Sequence, residues 1–68
     1  MFDEKRLRAA MVIADKSIKD ICETLDIAPS TFYRKCVNDG DFSRKEIDTL
    51  SKVLSLNSED RNTIFFAD

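Results

Sequence analysis

A connection of only three residues joins two stretches of the chain that each carry the apolar spacing of a helix. The second stretch begins at Pro29, which suits a first helical turn, and has Phe32 and Cys36 four residues apart. The first stretch repeats apolar residues at three- and four-residue intervals: Ile18, Ile21, Cys22 and Leu25. Residues 26–28 are too few to hold the two helices apart, so we expect them to cross over a shared core.

This pair of helices has the geometry of a helix-turn-helix unit, predicted over about residues 17–37. In such a unit the second helix lies across the first and projects its outer face into the major groove of DNA. Ile27 in the turn, together with Leu25 and Phe32, supplies an apolar plug between the helices. The second helix, residues 29–37, is therefore predicted to bury one face and expose the other.

The rest of the chain predicts three more helices and no strand. Asp3 can cap a first helix, Ser43 and Glu46 form a capping box before a fourth, and Asn57 or Ser58 can cap a last one. The first and fourth helices carry apolar stripes at helical spacing: Leu7, Ala10, Met11 and Ala14, then Ile47, Leu50, Val53 and Leu54. We expect an all-α fold of five short helices, forming a single domain over residues 1–68.

The size and composition of the chain exclude several classes of protein. A chain of 68 residues buries only about 60% of its unfolded surface, which leaves little room for a deep catalytic cleft. It has no histidine and only two cysteines, so we expect no enzymatic activity, no metal site and no cofactor. No apolar run is long enough for a signal peptide or a membrane span, and a reduced, cytoplasmic protein is expected.

The charges of the chain are unevenly distributed, although the net charge is only −2. Within residues 29–45, two acidic residues stand against four basic ones: Arg34, Lys35, Arg44 and Lys45. Residues 46–68 have two basic residues against five acidic ones. This distribution predicts a modest basic face around the second helix of the unit and an acidic far end.

Two segments, "SIKDICETLDIAPSTFYRK" and "FSRKEIDTLSKVLSL", carry a family resemblance that extends over residues 7–56. The chain resembles the small phage Cro/C1 repressor-type helix-turn-helix proteins, the XRE family. The resemblance implies a lambda-repressor-like (Cro-type) fold and a sequence-specific transcriptional regulator. Such a protein binds double-stranded operator DNA through its recognition helix, here residues 29–37, in the cytoplasm of a bacterium or of a phage-infected host cell.

The resemblance also implies which side chains contact DNA. The positions expected to face bases are Pro29, Ser30, Thr31, Tyr33 and Arg34. The positions expected to contact phosphates are Lys35, Asn38, Ser43, Arg44 and Lys45. Their chemistry suits these roles, because an arginine can bind a guanine edge or a phosphate, and a hydroxyl can bond to either.

Four positions of the unit depart from the family pattern. Ile18 stands where the family often has glutamine, and Asp26 where it has glycine, although aspartate tolerates a left-handed backbone better than most residues. Cys22 replaces a small alanine, and Ala28, a poor helix cap, replaces a serine.

The apolar end of the chain predicts self-association. Phe65 and Phe66 lie about 100° apart around a helix, so one ring is expected to close the core and the other to remain outside. We expect Ile64, Phe65 and Phe66 to form the interface of a homodimer, against the alternative that both rings pack on Phe2 or Met1. A twofold dimer would place two recognition helices about 34 Å apart on a palindromic operator.

Two other interpretations of the sequence stay open. The chain could be a protein-interaction module, such as an antirepressor that binds another repressor. This alternative is favoured by the negative net charge, Ile18, the weak cap at Ala28 and the apolar tail. The chain could also be the DNA-binding domain of a longer repressor.

Overall fold

A computed structural model describes residues 1–66, and within this range it contains five α-helices and no strand. The helices are α1 (Glu4–Ile13), α2 (Ile18–Leu25), α3 (Pro29–Val37), α4 (Arg44–Val53) and α5 (Ser58–Phe65). The prediction of an all-helical chain with five short helices is confirmed. None of these helices is both long enough and apolar enough to cross a membrane.

Side-chain caps begin four of the helices where the sequence places them. The Asp3 carboxylate accepts the Arg6 N–H at α1, and Ser17 and Ser43 form capping boxes at α2 and α4. Asn57, rather than Ser58, caps α5. Such a cap stabilises a helix by about 1 kcal/mol. The exception is α3, whose first residue follows Ala28 without any side-chain cap.

Three helices end in the same turn. One residue shortly after each of α1, α2 and α4 has a left-handed backbone conformation. These residues are Asp15, Asp26 and Ser55, with φ of 57°, 58° and 54°. The next N–H then donates to a carbonyl five residues back, as from Ile27 to Cys22 over 3.0 Å. The prediction for Asp26 is confirmed, and the tight turn it makes ends α2 just before α3.

The predicted apolar stripes converge on one core. Its fully buried members come from four helices: Leu7, Ile21, Phe32 and Leu50. Phe42, in the connection between α3 and α4, links two other rings of the core, with centroids 5.9 Å from Phe32 and 6.2 Å from Phe65. The core therefore joins the α2–α3 pair to α5 through aromatic rings in tilted and edge-to-face contact.

The residues before α1 bond both to the end of α5 and to the connection between α3 and α4. The Asp3 N–H donates to the Ile64 carbonyl over 2.7 Å, and the Phe2 N–H donates to the Asp39 carboxylate over 3.1 Å. The Phe2 ring lies directly on Gly40, which has a φ of +69°. A β-carbon at this position would come within 2.6 Å of Cβ and Cδ1 of Phe2, so only glycine fits beneath the ring without displacing it.

The end of α5 corrects the predicted dimer interface. Ile64 and Phe65 are buried within the chain itself, at 3% and 8% exposure, and cannot form a contact surface. Phe65 closes the core because its ring packs against Phe2 and Phe42. Phe66 is the ring left outside, at 56% exposure, so it alone of the three remains available to a partner.

Candidate nucleic-acid interface

The connection from α2 to α3 fixes how α3 sits on the molecule. Its first two residues, Asp26 and Ile27, make a hydrogen-bonded turn, and Ile27 is half-buried against the core. Phe32, at 1% exposure, and Cys36 anchor the inner side of α3. The plug predicted from Leu25, Ile27 and Phe32 does pack on the core, so the inner face of α3 is fixed to the rest of the protein.

The opposite face of α3 is exposed to solvent. Ser30, Arg34 and Val37 lie on it at helical spacing, and Val37 is 82% exposed. Arg34 makes no salt bridge with any other residue of the range 1–66. Of the residues predicted to face bases, Pro29 is also exposed, whereas Thr31 is half-buried at the edge of the face. We call Ser30, Arg34 and Val37 the outer face of α3.

Tyr33 lies at the border between α3 and α1. Its ring is 47% exposed and meets the Phe32 ring edge-on, with the centroids 6.1 Å apart. The guanidinium carbon of Arg8 lies 5.9 Å from the Tyr33 centroid, a distance typical of a cation–π contact. Glu4 bonds to Nε of Arg8 over 2.9 Å, and this bond raises the pKa of the guanidinium. Arg8 therefore holds the Tyr33 ring at the border with α1, while its own charge is opposed by Glu4.

Lys35 points toward the protein at the other border of α3. Its ammonium group donates to the Asp41 carbonyl over 3.2 Å and pairs with the Glu46 carboxylate at 3.3 Å. The side chains of this pair are only 20% and 18% exposed. Lys35 was predicted to contact a phosphate, but its charge is already opposed by Glu46. Through this ion pair Lys35 links α3 to the first turn of α4.

The first turn of α4 presents Ser43, Arg44 and Lys45 to solvent, as predicted. Lys45 lines a shallow groove with the end of α2, whereas Arg44 lies beside Phe66 on the side of the chain's end. Only Lys45 therefore borders the α2–α3 unit directly. Asn38, also exposed, ends α3.

The partly buried Glu46 side chain stabilises the first turn of α4. Burial opposes its ionisation, but the Ser43 N–H and the Lys35 ammonium together hold the pKa of its carboxyl below the usual value. Its carboxylate accepts the Ser43 N–H over 2.8 Å and completes the capping box. The same acid thus fixes both the start of α4 and the position of Lys35.

The two cysteines are buried and do not form a reactive pair. Burial raises the pKa of both thiols, that of Cys36 to about 11. Over residues 1–66 no group of three His, Cys, Asp or Glu side chains is placed to hold a metal ion.

Two residues of this region were not predicted from the sequence to belong to the site. Val37 could have been found, because it follows Ser30 by seven residues and Arg34 by three, which places all three on one helical face. Arg8 carried no local signal, because its proximity to Tyr33 depends on how α1 packs beside α3.

No protein-family model, no curated protein and no solved structure shows significant similarity to this chain.

Proposed function

We propose that α2 and α3 form a helix-turn-helix unit of the Cro/repressor type and that the chain is a sequence-specific DNA-binding transcriptional regulator. The observation that carries the proposal is the outer face of α3. Its residues contribute nothing to the core, while Phe32 and Cys36 hold the helix from behind. An exposed helix face bearing an unpaired arginine fits a major groove, which admits one α-helix.

In this proposal Arg34 reads a guanine edge, and the Val37 methyl groups meet a thymine methyl nearby. The uncapped amides at the start of α3 are free to bond to a phosphate, because Ala28 supplies no side-chain oxygen. Lys45 and the Tyr33 hydroxyl would hold the flanking backbone. Lys35 would act by positioning α3, since its ammonium group is already bound to Asp41 and Glu46.

Selection from a randomised duplex pool at low salt, followed by fluorescence anisotropy, tests the proposal. We expect enrichment of a defined motif and a salt dependence of a few phosphate contacts, each contributing about 0.9 to the logarithmic slope. Arg34→Ala should relax the base preference at one position by roughly 1–3 kcal/mol. A folded protein that enriches no sequence would refute the proposal.

A matched pair on α4 separates specific contact from general charge. Lys45→Ala should weaken binding to all sequences and lower the salt slope by about one phosphate contact. Lys52→Ala removes the same charge from the other end of the helix, where Lys52 lies beside Asn57 and Arg61, and should leave binding unchanged. Equal losses for both variants would indicate nonspecific attraction only.

The second candidate function is a protein-interaction module that binds another repressor. The exposed Val37 favours it, because an apolar side chain on the outer face of α3 suits a protein partner as well as a thymine methyl. Under this alternative, Val37→Asp would abolish co-purification with the partner repressor, and no duplex would be enriched in the selection.

A further inference from the structure

A shallow groove between α4 and α5 differs in charge from other parts of the surface. It has a volume of about 510 Å³, and two arginines and three apolar residues line it: Arg44, Arg61, Phe42, Ile47 and Phe66. No acidic side chain of residues 1–66 lines it, although the chain has 13 acidic residues and a net charge of −2. Four other surface grooves each include at least one acidic side chain. We call these five residues the arginine groove.

The floor of the arginine groove is apolar and belongs to the core. Phe42 and Ile47 are only 8% and 7% exposed, whereas Phe66 forms a wall with more than half of its surface open to solvent. The Phe66 ring rests against the Phe65 ring, with the centroids 6.4 Å apart. The groove can therefore receive an apolar side chain between a fixed floor and a supported aromatic wall. Phenylalanine and arginine are both enriched at protein–protein interfaces.

The two arginines of the groove carry more positive charge than the chain opposes. Nη2 of Arg61 lies 2.8 Å from Oδ1 of Asp48, and this pair links α5 to α4. Arg44 makes no salt bridge with any other residue of the range 1–66, although Asp48 follows it by four residues on the same helix. One carboxylate thus stands against two guanidinium groups. A carboxylate from outside the chain would complement the groove, because a guanidinium binds carboxylates in bidentate fashion.

We infer that the arginine groove is the docking site of an acidic segment of a partner protein. One apolar side chain of this segment packs on Phe42 and Ile47 beside the Phe66 ring, and its neighbouring carboxylates pair with Arg44 and Arg61. A nucleic acid suits the groove less well, because the surplus charge allows few phosphate contacts and the apolar floor offers a phosphate no donor. Arg44, predicted to contact a phosphate, is thereby assigned to a protein partner.

This inference goes beyond the proposed function and does not rest on it. The arginine groove contains no residue of α2 or α3, so the outer face of α3 stays free when the groove is occupied. Loss of DNA binding by Arg34→Ala would leave the groove unaffected. Failure of the chain to bind an acidic peptide would likewise leave the proposed DNA interface standing.

An NMR titration of the full chain, without DNA, tests the inference. The probe is a synthetic peptide in which one phenylalanine is flanked on each side by two glutamates. We expect the backbone amide signals of residues 42–47 and 61–66 to shift, with a dissociation constant below about 1 mM. Two control peptides, one with serine in place of the phenylalanine and one with glutamines in place of the glutamates, should each bind at least about tenfold more weakly.

Variants of the chain show whether the groove itself is occupied. Arg44→Ala should raise the dissociation constant about fivefold, as expected for a partly exposed ion pair. Phe66→Ser should raise it about tenfold, because it removes the aromatic wall. The matched control is Arg6→Ala, which removes an exposed arginine that does not line the groove and should leave the dissociation constant unchanged. Circular dichroism verifies that each variant is folded.

Four outcomes would overturn the inference. The first is a chain whose amide signals do not shift at about 1 mM peptide. The second is equal binding of the serine peptide, which would mean charge attraction without an apolar anchor. The third is a single-stranded oligothymidylate that shifts the same amides and displaces the peptide, which would assign the groove to a nucleic acid. The fourth is a shift of the same amides when the chain alone is concentrated, which would assign the groove to a second copy.

Discussion

Replacement of Gly40 by alanine should destabilise the chain more than a typical exchange of glycine for alanine does. Two unfavourable effects, backbone strain and a steric clash, act at this position. The backbone of Gly40 is left-handed, with φ of +69°, and the Phe2 ring occupies the place of the new β-carbon. Phe2 in turn packs on Phe42 and Phe65, with centroids 5.8 and 5.9 Å away. The ring cannot move off Gly40 without giving up these contacts.

The two costs can be added. A left-handed conformation costs an L-residue roughly 1–2 kcal/mol. Displacing the half-buried Phe2 ring loses part of the roughly 1.5–3 kcal/mol that a fully buried phenylalanine contributes. We expect Gly40→Ala to lower the free energy of unfolding by about 2–4 kcal/mol. A domain of this size has only about 3–10 kcal/mol in total, so the midpoint of thermal unfolding should fall by about 10–20 °C.

A double-mutant cycle with Phe2→Gly, which removes both the ring and the β-carbon that a residue at position 40 would meet, measures the clash separately from the backbone strain. Denaturant unfolding followed by circular dichroism gives the four free energies. In the Phe2→Gly background the β-carbon and the ring of residue 2 are both gone, so the clash is absent and Gly40→Ala should cost only the roughly 1–2 kcal/mol of the backbone. Gly40→Asn is the matched control, because asparagine tolerates a left-handed backbone and retains the β-carbon. It should cost less than alanine with Phe2 present and be nearly neutral without it.

An equal cost of Gly40→Ala with and without the Phe2 side chain would refute this prediction. Equal costs would mean that Phe2 does not rest on Gly40 in solution. The Phe2 side chain would then not hold the residues before α1 against the connection between α3 and α4.

Three further predictions concern single side chains. Ala28→Ser should supply the missing cap of α3 and raise the free energy of unfolding by about 1 kcal/mol; no gain in denaturant unfolding would mean that water already satisfies those amides. Because the folded pKa of Glu46 lies below its ordinary value of 4.5, its ionisation stabilises the fold above that pH and the contribution is lost as the pH falls through the folded value. Glu46→Gln should therefore be less stable than the wild type at pH 7 and converge with it in acid, and parallel pH profiles would contradict this. Burial raises the pKa of the Cys36 thiol to about 11, so iodoacetamide at pH 8 should alkylate it slowly in the folded chain and rapidly in denaturant; equal rates would show that the thiol is not protected.

Helix limits were predictable because the residues that set them are close in sequence. The Ser43 cap and its Glu46 partner are three residues apart, and the left-handed turn at Asp26 follows from one residue and its neighbours. The inner side of α3 was predictable for the same reason, from the spacing of Phe32 and Cys36.

Contacts between helices were not predictable, because they depend on packing angles that no local pattern encodes. Lys35 was expected on a phosphate, but α4 brings the Glu46 carboxylate within 3.3 Å of its ammonium group. Phe65, rather than Phe66, belongs to the core because its ring packs against the rings of Phe2 and Phe42. The position of Arg8 over Tyr33 likewise required the placement of α1.

The division of α3 into an anchored side and an outer face also bears on how such a helix changes over generations. Ser30, Arg34 and Val37 are exposed and take no part in the core, so exchanges there should change stability by no more than about 0.5 kcal/mol. The contacts that hold the same helix to the protein are made by Phe32, Cys36 and Lys35. Mutations can therefore change the chemistry of this exposed face step by step, while every intermediate chain still folds.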